Sequence, residues 1–306
     1  MAGLHRWPLA SFFLLTFAFS WAIWIGGLIH LGPGTSMREA IPFVYVGSFG
    51  PTVAAIVMLA TGSHRRQGLR QWARSFGRVK AHPGVYVAVL FGLPIAYGVL
   101  WTVLGVQPLP GDPPILVWIT LILMTPVNGF VGSVVLGAGP LGEEPGWRGY
   151  ALDRLLEARS DWAASGILGL FWALWHLPIM VGIPEWRAGV VLPVFLPTYA
   201  IGVDALAYAF TKVWRWSRGS LFLVIWFHGI VNFSANYAVD RRIWDLDAFS
   251  DLELHLVSGT GILLLALVLA LVARWRDARQ WSGARVDGDR EAHPRAEARQ
   301  GNDREG

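Results

Sequence analysis

The sequence predicts an all-α, polytopic membrane bundle of about eight transmembrane helices with cytoplasmic N- and C-termini, and three observations carry that prediction. Of 306 residues, 54% are hydrophobic and only 15% are charged, whereas a soluble domain averages about 25% charged. The apolar residues are gathered into charge-poor runs near the length that crosses a hydrocarbon layer. The isoelectric point of 9.7 comes with seventeen tryptophans and sixteen phenylalanines. That mixture suits an anionic leaflet and its interface better than nucleic acid. There is no cysteine, which excludes a disulfide framework, a thiol nucleophile and cysteine-ligated metal.

Eight runs qualify as spans: Leu9–Leu31, Ile41–Thr61, Val85–Val106, Ile115–Ala138, Trp162–Ile183, Gly189–Phe210, Leu221–Val239 and Leu254–Ala273. The first has 23 uncharged residues, too many for a signal-peptide core, and no small-residue cleavage site follows, so it reads as a retained span. With the N-terminus inside, 21 of the 25 lysines and arginines fall on the cytoplasmic side, leaving Arg38, Arg187, Arg241 and Arg242 outside. A shift by one helix inverts this bias, so the positive-inside rule selects eight spans. Between the second and third spans, Leu69, Trp72, Ala73 and Phe76 recur at helical spacing among six basic residues. This reads either as a helix lying on the anionic leaflet or as a solvated basic loop. Residues 277–306 mix six arginines with seven acids and almost nothing apolar, and are expected to form a disordered cytoplasmic tail. Residues 1–276 then form the membrane-embedded domain.

Polar groups inside spans are expensive and are functional candidates by default. They are Glu143, Glu144 and Arg148 after the fourth span, His176 in the fifth, Asp204 in the sixth, and His228 with Asn232 in the seventh. His30 and His255 sit at span ends, where an imidazole is unremarkable. A helix is expected to start near Glu143 with Pro145 in its first turn. On it Glu144 and Arg148, four apart, share a face and can pair, leaving Glu143 to project elsewhere. The bland alternative is a cytoplasmic helix start whose acids complement the dipole. His228 and Asn232 also share a helical face, for a water, a metal, an oxyanion or a structural hydrogen bond. His176 alone reads equally as a satisfied core histidine.

Together these residues have a chemistry. A carboxylate and a histidine activate water as a general base. A second histidine and an asparagine amide can donate to a developing oxyanion. Desolvation should raise the glutamate pKa toward neutrality. Hydrolysis of an amide needs no more.

At these residues the sequence resembles the CPBP family of intramembrane proteases, which comprises CAAX prenyl endopeptidases of the Rce type and bacterial Abi proteins. The family pattern appears as Glu143-Glu144-Pro-Gly-Trp147-Arg148, Trp172-Ala-Leu-Trp-His176 and His228-Gly-Ile-Val-Asn232, in order, within a motif core of residues 142–236. Phe171 and Trp172 both stand open as the aromatic member. Pro145-Gly146, directly after the acids, departs from the pattern. The resemblance implies that Glu143 activates water beside His176, that Glu144 pairs with Arg148, and that His228 and Asn232 bind the oxyanion.

The metal stays open. The family is often named as metalloproteases, but the usual His-Glu-x-x-His helix is absent and asparagine is a poor zinc ligand. No cofactor is required by this reading, with Zn²⁺ on Glu143, His176 and His228 as the alternative. Expected partners are membrane lipids and a membrane-associated peptide or protein, without nucleic acid, in a bacterial inner (plasma) membrane. A non-catalytic immunity or scaffold protein of the same fold, or a small-solute transporter using Asp204, Pro193 and Pro197, are the competing functions; Asp204 itself reads as a structural acceptor. At 1.5 Å per residue, His228 lies roughly 13 Å from Gly219 and His176 roughly 21 Å from Trp162. The two meet if Arg159–Trp162 continues a helix in the headgroup layer.

Overall fold

A computed structural model describes residues 4–110, 113–137, 139–187 and 189–275. In chain order its helices are α1 (Pro8–Leu31), α2 (Met37–Gly47), α3 (Gly50–Thr61), α4 (Arg65–Phe76), α5 (Pro83–Leu104) and α6 (Pro114–Phe130). There follow α7 (Pro140–Gly146), α8 (Asp153–Ala158), α9 (Asp161–Trp175), α10 (Leu177–Gly182), α11 (Leu192–Trp216), α12 (Leu221–Ala238) and α13 (Asp251–Trp275). π-Helical turns extend α6 over Val131–Val135 and join α7 to α8 over Trp147–Leu152. Eight helical stretches among the described residues are long and apolar enough to cross a membrane, two of them being α2 with α3 and α9 with α10. The protein is an all-α polytopic membrane bundle. The expected tail over 277–306 lies outside the described residues.

Local chemistry sets the ends and breaks. Proline stands in the first turn of α1, α5 and α6, where its missing N–H goes unnoticed. Ser36, Ser160 and Ser220 cap α2, α9 and α12 through their side chains, as short hydroxyls do. Pro51 cannot donate to the Gly47 carbonyl one turn earlier, and the Ser20 hydroxyl donates there instead at 2.7 Å. The second break falls at His176, between α9 and α10. Pro178 removes the donor to the Leu174 carbonyl, the Ile179 N–H turns to the His176 carbonyl, and the Trp175 carbonyl so freed accepts the Trp21 indole N–H at 2.9 Å.

Three expectations are corrected. The helix bearing the two glutamates begins at Pro140, not Glu143, and Pro145 lies inside it rather than in its first turn. Arg159–Trp162 does not continue a helix: Arg159 is extended, and Ser160 caps a new helix with Asp161 in its first turn. The sixth span also runs beyond its expected end to Trp216, because Lys212 pairs with Asp161 at 2.7 Å and tolerates burial. The basic segment after α3 is helical as α4.

Contacts divide the chain at Ala266, and residues 267–275, the rest of α13, belong to a separate unit. Within the larger unit α6 and α12 approach closely. A Cβ built on Gly229 would collide with Ser133 Oγ and with the Gly129 carbonyl oxygen. Overpacking of this kind costs about 1–3 kcal/mol. Gly229→Ala is therefore expected to lower the melting temperature in detergent, and an unchanged melting temperature would refute this account of the α6–α12 seam.

Candidate active site

The site is assembled from α7 with its π turn, the α9–α10 break, and α12. Glu143 and Glu144 are adjacent in a helix, so their side chains diverge by about 100°. Glu144 turns into the protein and is fully buried. Both its oxygens accept from Arg148 Nη1, at 2.8 and 3.0 Å, and its Oε1 also accepts from His228 Nδ1 at 2.7 Å. Pro145 and Gly146 leave this i, i+4 pair intact. Gly146 serves packing, since a Cβ there would collide with the Pro51 backbone in α3. The Arg148 guanidinium is held between two ring faces, 4.3 Å from Trp172 and 4.0 Å from Phe210, so cation–π attraction adds to the ion pair.

Glu143 turns instead toward open space. Its Oε2 accepts the Trp172 indole N–H at 2.9 Å, and among the described residues no cation bonds to it directly. Burial pushes its carboxyl pKa up; the charge of His228 opposes that shift and that of Glu144 adds to it.

His176 owes its orientation to the helix break. Its backbone N–H bonds to the Ala173 carbonyl rather than to that of Trp172. The freed Trp172 carbonyl takes His176 Nδ1 at 2.9 Å. A carbonyl only accepts, so Nδ1 carries the proton and Nε2 presents a lone pair.

Two cavities meet at these residues. One, of about 690 Å³, is lined by Ser48, Gly139, Glu143, His176, Glu185 and Asn232 among others. The other, of about 280 Å³, shares Glu143, His176 and Asn232 and adds His228, Tyr199 and His255. His176 and His228 therefore share a site despite their different depths. Trp172, one turn nearer the start of α9 than His176, fills that difference: its ring meets His228 edge-on at 5.4 Å. Asp204 lines neither cavity and lies against Gly169 of α9.

Sequence reasoning left the aromatic member of the second motif undecided. Trp172 touches Glu143, Arg148, His176 and His228, whereas Phe171 stacks on Phe13 of α1 at 3.9 Å. Phe210 and Tyr199 went unremarked, and His255, read as an unremarkable imidazole at a span end, lines the smaller cavity. His255 Nε2 lies 2.7 Å from Thr198 Oγ1, and both line the smaller cavity. Nothing in their sequence surroundings sets them apart from ordinary span residues.

A metal fits poorly. Among the described residues no three His, Cys, Asp or Glu side chains stand close enough to hold one ion. His228 Nδ1 and both Glu144 oxygens are already engaged.

Residues 113–234 match the type II CAAX prenyl endopeptidase Rce1-like family. A stretch of 97 residues is 33% identical to the CAAX prenyl protease 2 of Methanococcus maripaludis, covering 29% of this chain and 34% of the relative. The chain thus spans about a third of the length of that curated relative.

The two glutamates are expected to differ in stability. Breaking a buried pair costs about 3–5 kcal/mol, so Glu144→Gln should lower the melting temperature, and adding Arg148→Gln should recover part of the loss. Glu143 behaves oppositely. A carboxyl that holds its proton more tightly folded than unfolded loses stability as pH rises through its folded-state pKa. Glu143→Gln removes that loss and should melt no lower than the parent chain at neutral pH. Equal losses for both variants would refute the division of roles.

Proposed function

We propose that this chain is a CPBP-type intramembrane endopeptidase cutting a membrane-associated peptide with a water activated by Glu143, a reading supported by the match of residues 113–234 to the type II CAAX prenyl endopeptidase Rce1-like family. The observation that carries this reading is the unlike treatment of two adjacent carboxylates. Glu144 is neutralised by Arg148 and tied to His228, while Glu143 borders both cavities with an indole N–H upon it.

The reaction follows from these positions. A water in the cavity donates to Glu143, and the His176 Nε2 lone pair takes its second hydrogen bond. As the water oxygen attacks the scissile carbonyl carbon, Glu143 takes the proton. The carbonyl oxygen becomes an oxyanion that accepts from His228 Nε2–H and the Asn232 amide. Collapse breaks the C–N bond, and Glu143–H returns the proton to the leaving amine. Trp172 positions Glu143 and His176 from one side chain and one carbonyl. The chain acts in the plasma membrane of a bacterial cell, on lipid-embedded or membrane-proximal peptide, and nucleic acid has no part in it.

Three outcomes test this. General base catalysis is typically worth about 10²–10⁴-fold, so Glu143→Gln should lose that much cleavage of a reporter peptide in detergent while the protein stays folded. Because burial raises the Glu143 pKa and the carboxylate is the active form, cleavage should increase with pH along a limb displaced above the usual glutamate range. A limb at the ordinary glutamate value would contradict the desolvated base. Incubation with a strong zinc chelator, followed by its removal, should leave the rate unchanged; a loss restored by Zn²⁺ would overturn the metal-free mechanism.

A further inference from the structure

Helix α4 has few local reasons to be a helix. Its 12 residues are near the lower limit for an isolated helix in water. His64 gives its N-terminus no side-chain cap, and its first turn holds Arg65 and Arg66 but no acid, against the positive end of the helix dipole. Gly68 lies inside it, at a cost in helix propensity. Arg66, Arg70 and Arg74 stand four apart, so neighbouring guanidiniums repel along one face. Residues 62–82 contain six basic side chains and no acid. Among the described residues no carboxylate pairs with Arg65, Arg66, Arg70 or Arg74, and all four are exposed.

The other face of α4 holds to the two elements that carry the site. The Trp72 indole N–H donates at 2.9 Å to the carbonyl of Pro145, which directly follows Glu144. The same ring lies on the π turn, since a Cβ built on Gly149 would stand 3.0 Å from its nitrogen. Just past α4, Arg78 donates to the Arg218 carbonyl at 3.0 Å, and the Arg78 carbonyl accepts the Ser220 hydroxyl. Ser220 caps α12, which carries His228 and Asn232. The α4 segment therefore braces α7 through one residue and the start of α12 through another.

We propose that α4 binds the anionic headgroups of the leaflet beside it, and that this binding raises cleavage at Glu143. The positive-inside rule puts this arginine-rich connection in the cytoplasm, where the leaflet is negatively charged. Lipid phosphates among Arg66, Arg70 and Arg74 neutralise the repulsion that opposes the helix. They thus favour the helical, docked state over a loosened one, and a ligand shifts an equilibrium only through such a difference. In the docked state Trp72 and Arg78 steady the backbone that carries Glu143 and His228. In the loosened state both braces are lost, and a small misplacement of a catalytic group costs much of the rate. The effect on cleavage rests on the proposed role of Glu143; the ordering of α4 by lipid does not.

The test uses the full-length chain in vesicles of phosphatidylcholine, with and without phosphatidylglycerol. Because the sequence has no cysteine, Gln67→Cys carries a single nitroxide at an exposed position of α4. The label should slow when phosphatidylglycerol is present and recover at high salt, which screens the contact. Reporter-peptide cleavage should rise by about fivefold or more, the lower end of ordinary coupling between sites. The triple variant Arg66→Gln, Arg70→Gln, Arg74→Gln should behave alike in both vesicles, at a rate no lower than the parent chain in phosphatidylcholine. Trp72→Phe should keep the slowed label and lose most of the rise in cleavage. An unchanged label or rate overturns the proposal, as does a response that survives the triple substitution or a full rise in Trp72→Phe. An equal rise with inorganic polyphosphate in detergent also overturns it, by making the ligand a soluble polyanion. A chain whose label responds but which cuts no peptide in either vesicle refutes the catalytic reading alone.

Discussion

One carboxylate oxygen, Glu144 Oε1, organises the interior. It accepts from Arg148 and from His228 at once, at 2.8 and 2.7 Å, and so ties the π turn after α7 to the middle of α12. Burying a charge is costly unless it is paired and hydrogen-bonded. Two adjacent carboxylates with a single arginine therefore cannot share an environment. Glu144 takes the arginine, the histidine and full burial. Glu143 is left with an indole N–H, an open cavity and a carboxyl that burial holds toward its protonated form. Pairs of titratable groups pushed apart in this way divide acid, base and structural work between them.

The second constraint is the membrane. Irregular backbone at membrane depth is tolerated where it is buried in protein or lines a cavity, and the breaks in this bundle obey that rule. Ser48 between α2 and α3, Leu136 and Gly139 between the π turn and α7, and His176 between α9 and α10 all line the larger cavity. Each break is caused by a local residue. Pro51 silences one donor and Pro178 another, while Gly137 and Gly139 adopt positive φ that other residues rarely take. The same residues that interrupt the helices thus provide the cavity wall and turn His176 onto the Trp172 carbonyl.

Much of this was legible beforehand. The eight spans follow from run length alone, and the Glu144–Arg148 pair follows from helical spacing. Glu143, His176, His228 and Asn232, grouped in the sequence reading, all line the smaller cavity. What was not legible depends on contact between distant elements. The chain cannot reveal that His228 answers to Glu144, 84 residues away, or that Phe210 covers the guanidinium. The start of α7 was misplaced because Pro145 looked like a first-turn proline, when Pro140 had already opened the helix. The continuous helix expected through Arg159 failed for a similar reason: a serine followed by an acid begins a new one.

The two histidines show how far neighbours, rather than residue type, decide chemistry. Each commits Nδ1 to an acceptor, but the acceptors differ. His176 donates to a neutral carbonyl in the backbone of its own helix, and its neutral ring then carries a lone pair on Nε2, suited to accept from water. His228 donates to the Glu144 carboxylate. A hydrogen bond from its Nε2 to an oxyanion requires a second ring proton, hence an imidazolium, and that charge has its counter-ion in place. The charge of His228 also favours the ionised form of Glu143, which lines the same smaller cavity. One buried glutamate, Glu144, thus holds both the Arg148 guanidinium and the His228 ring in place.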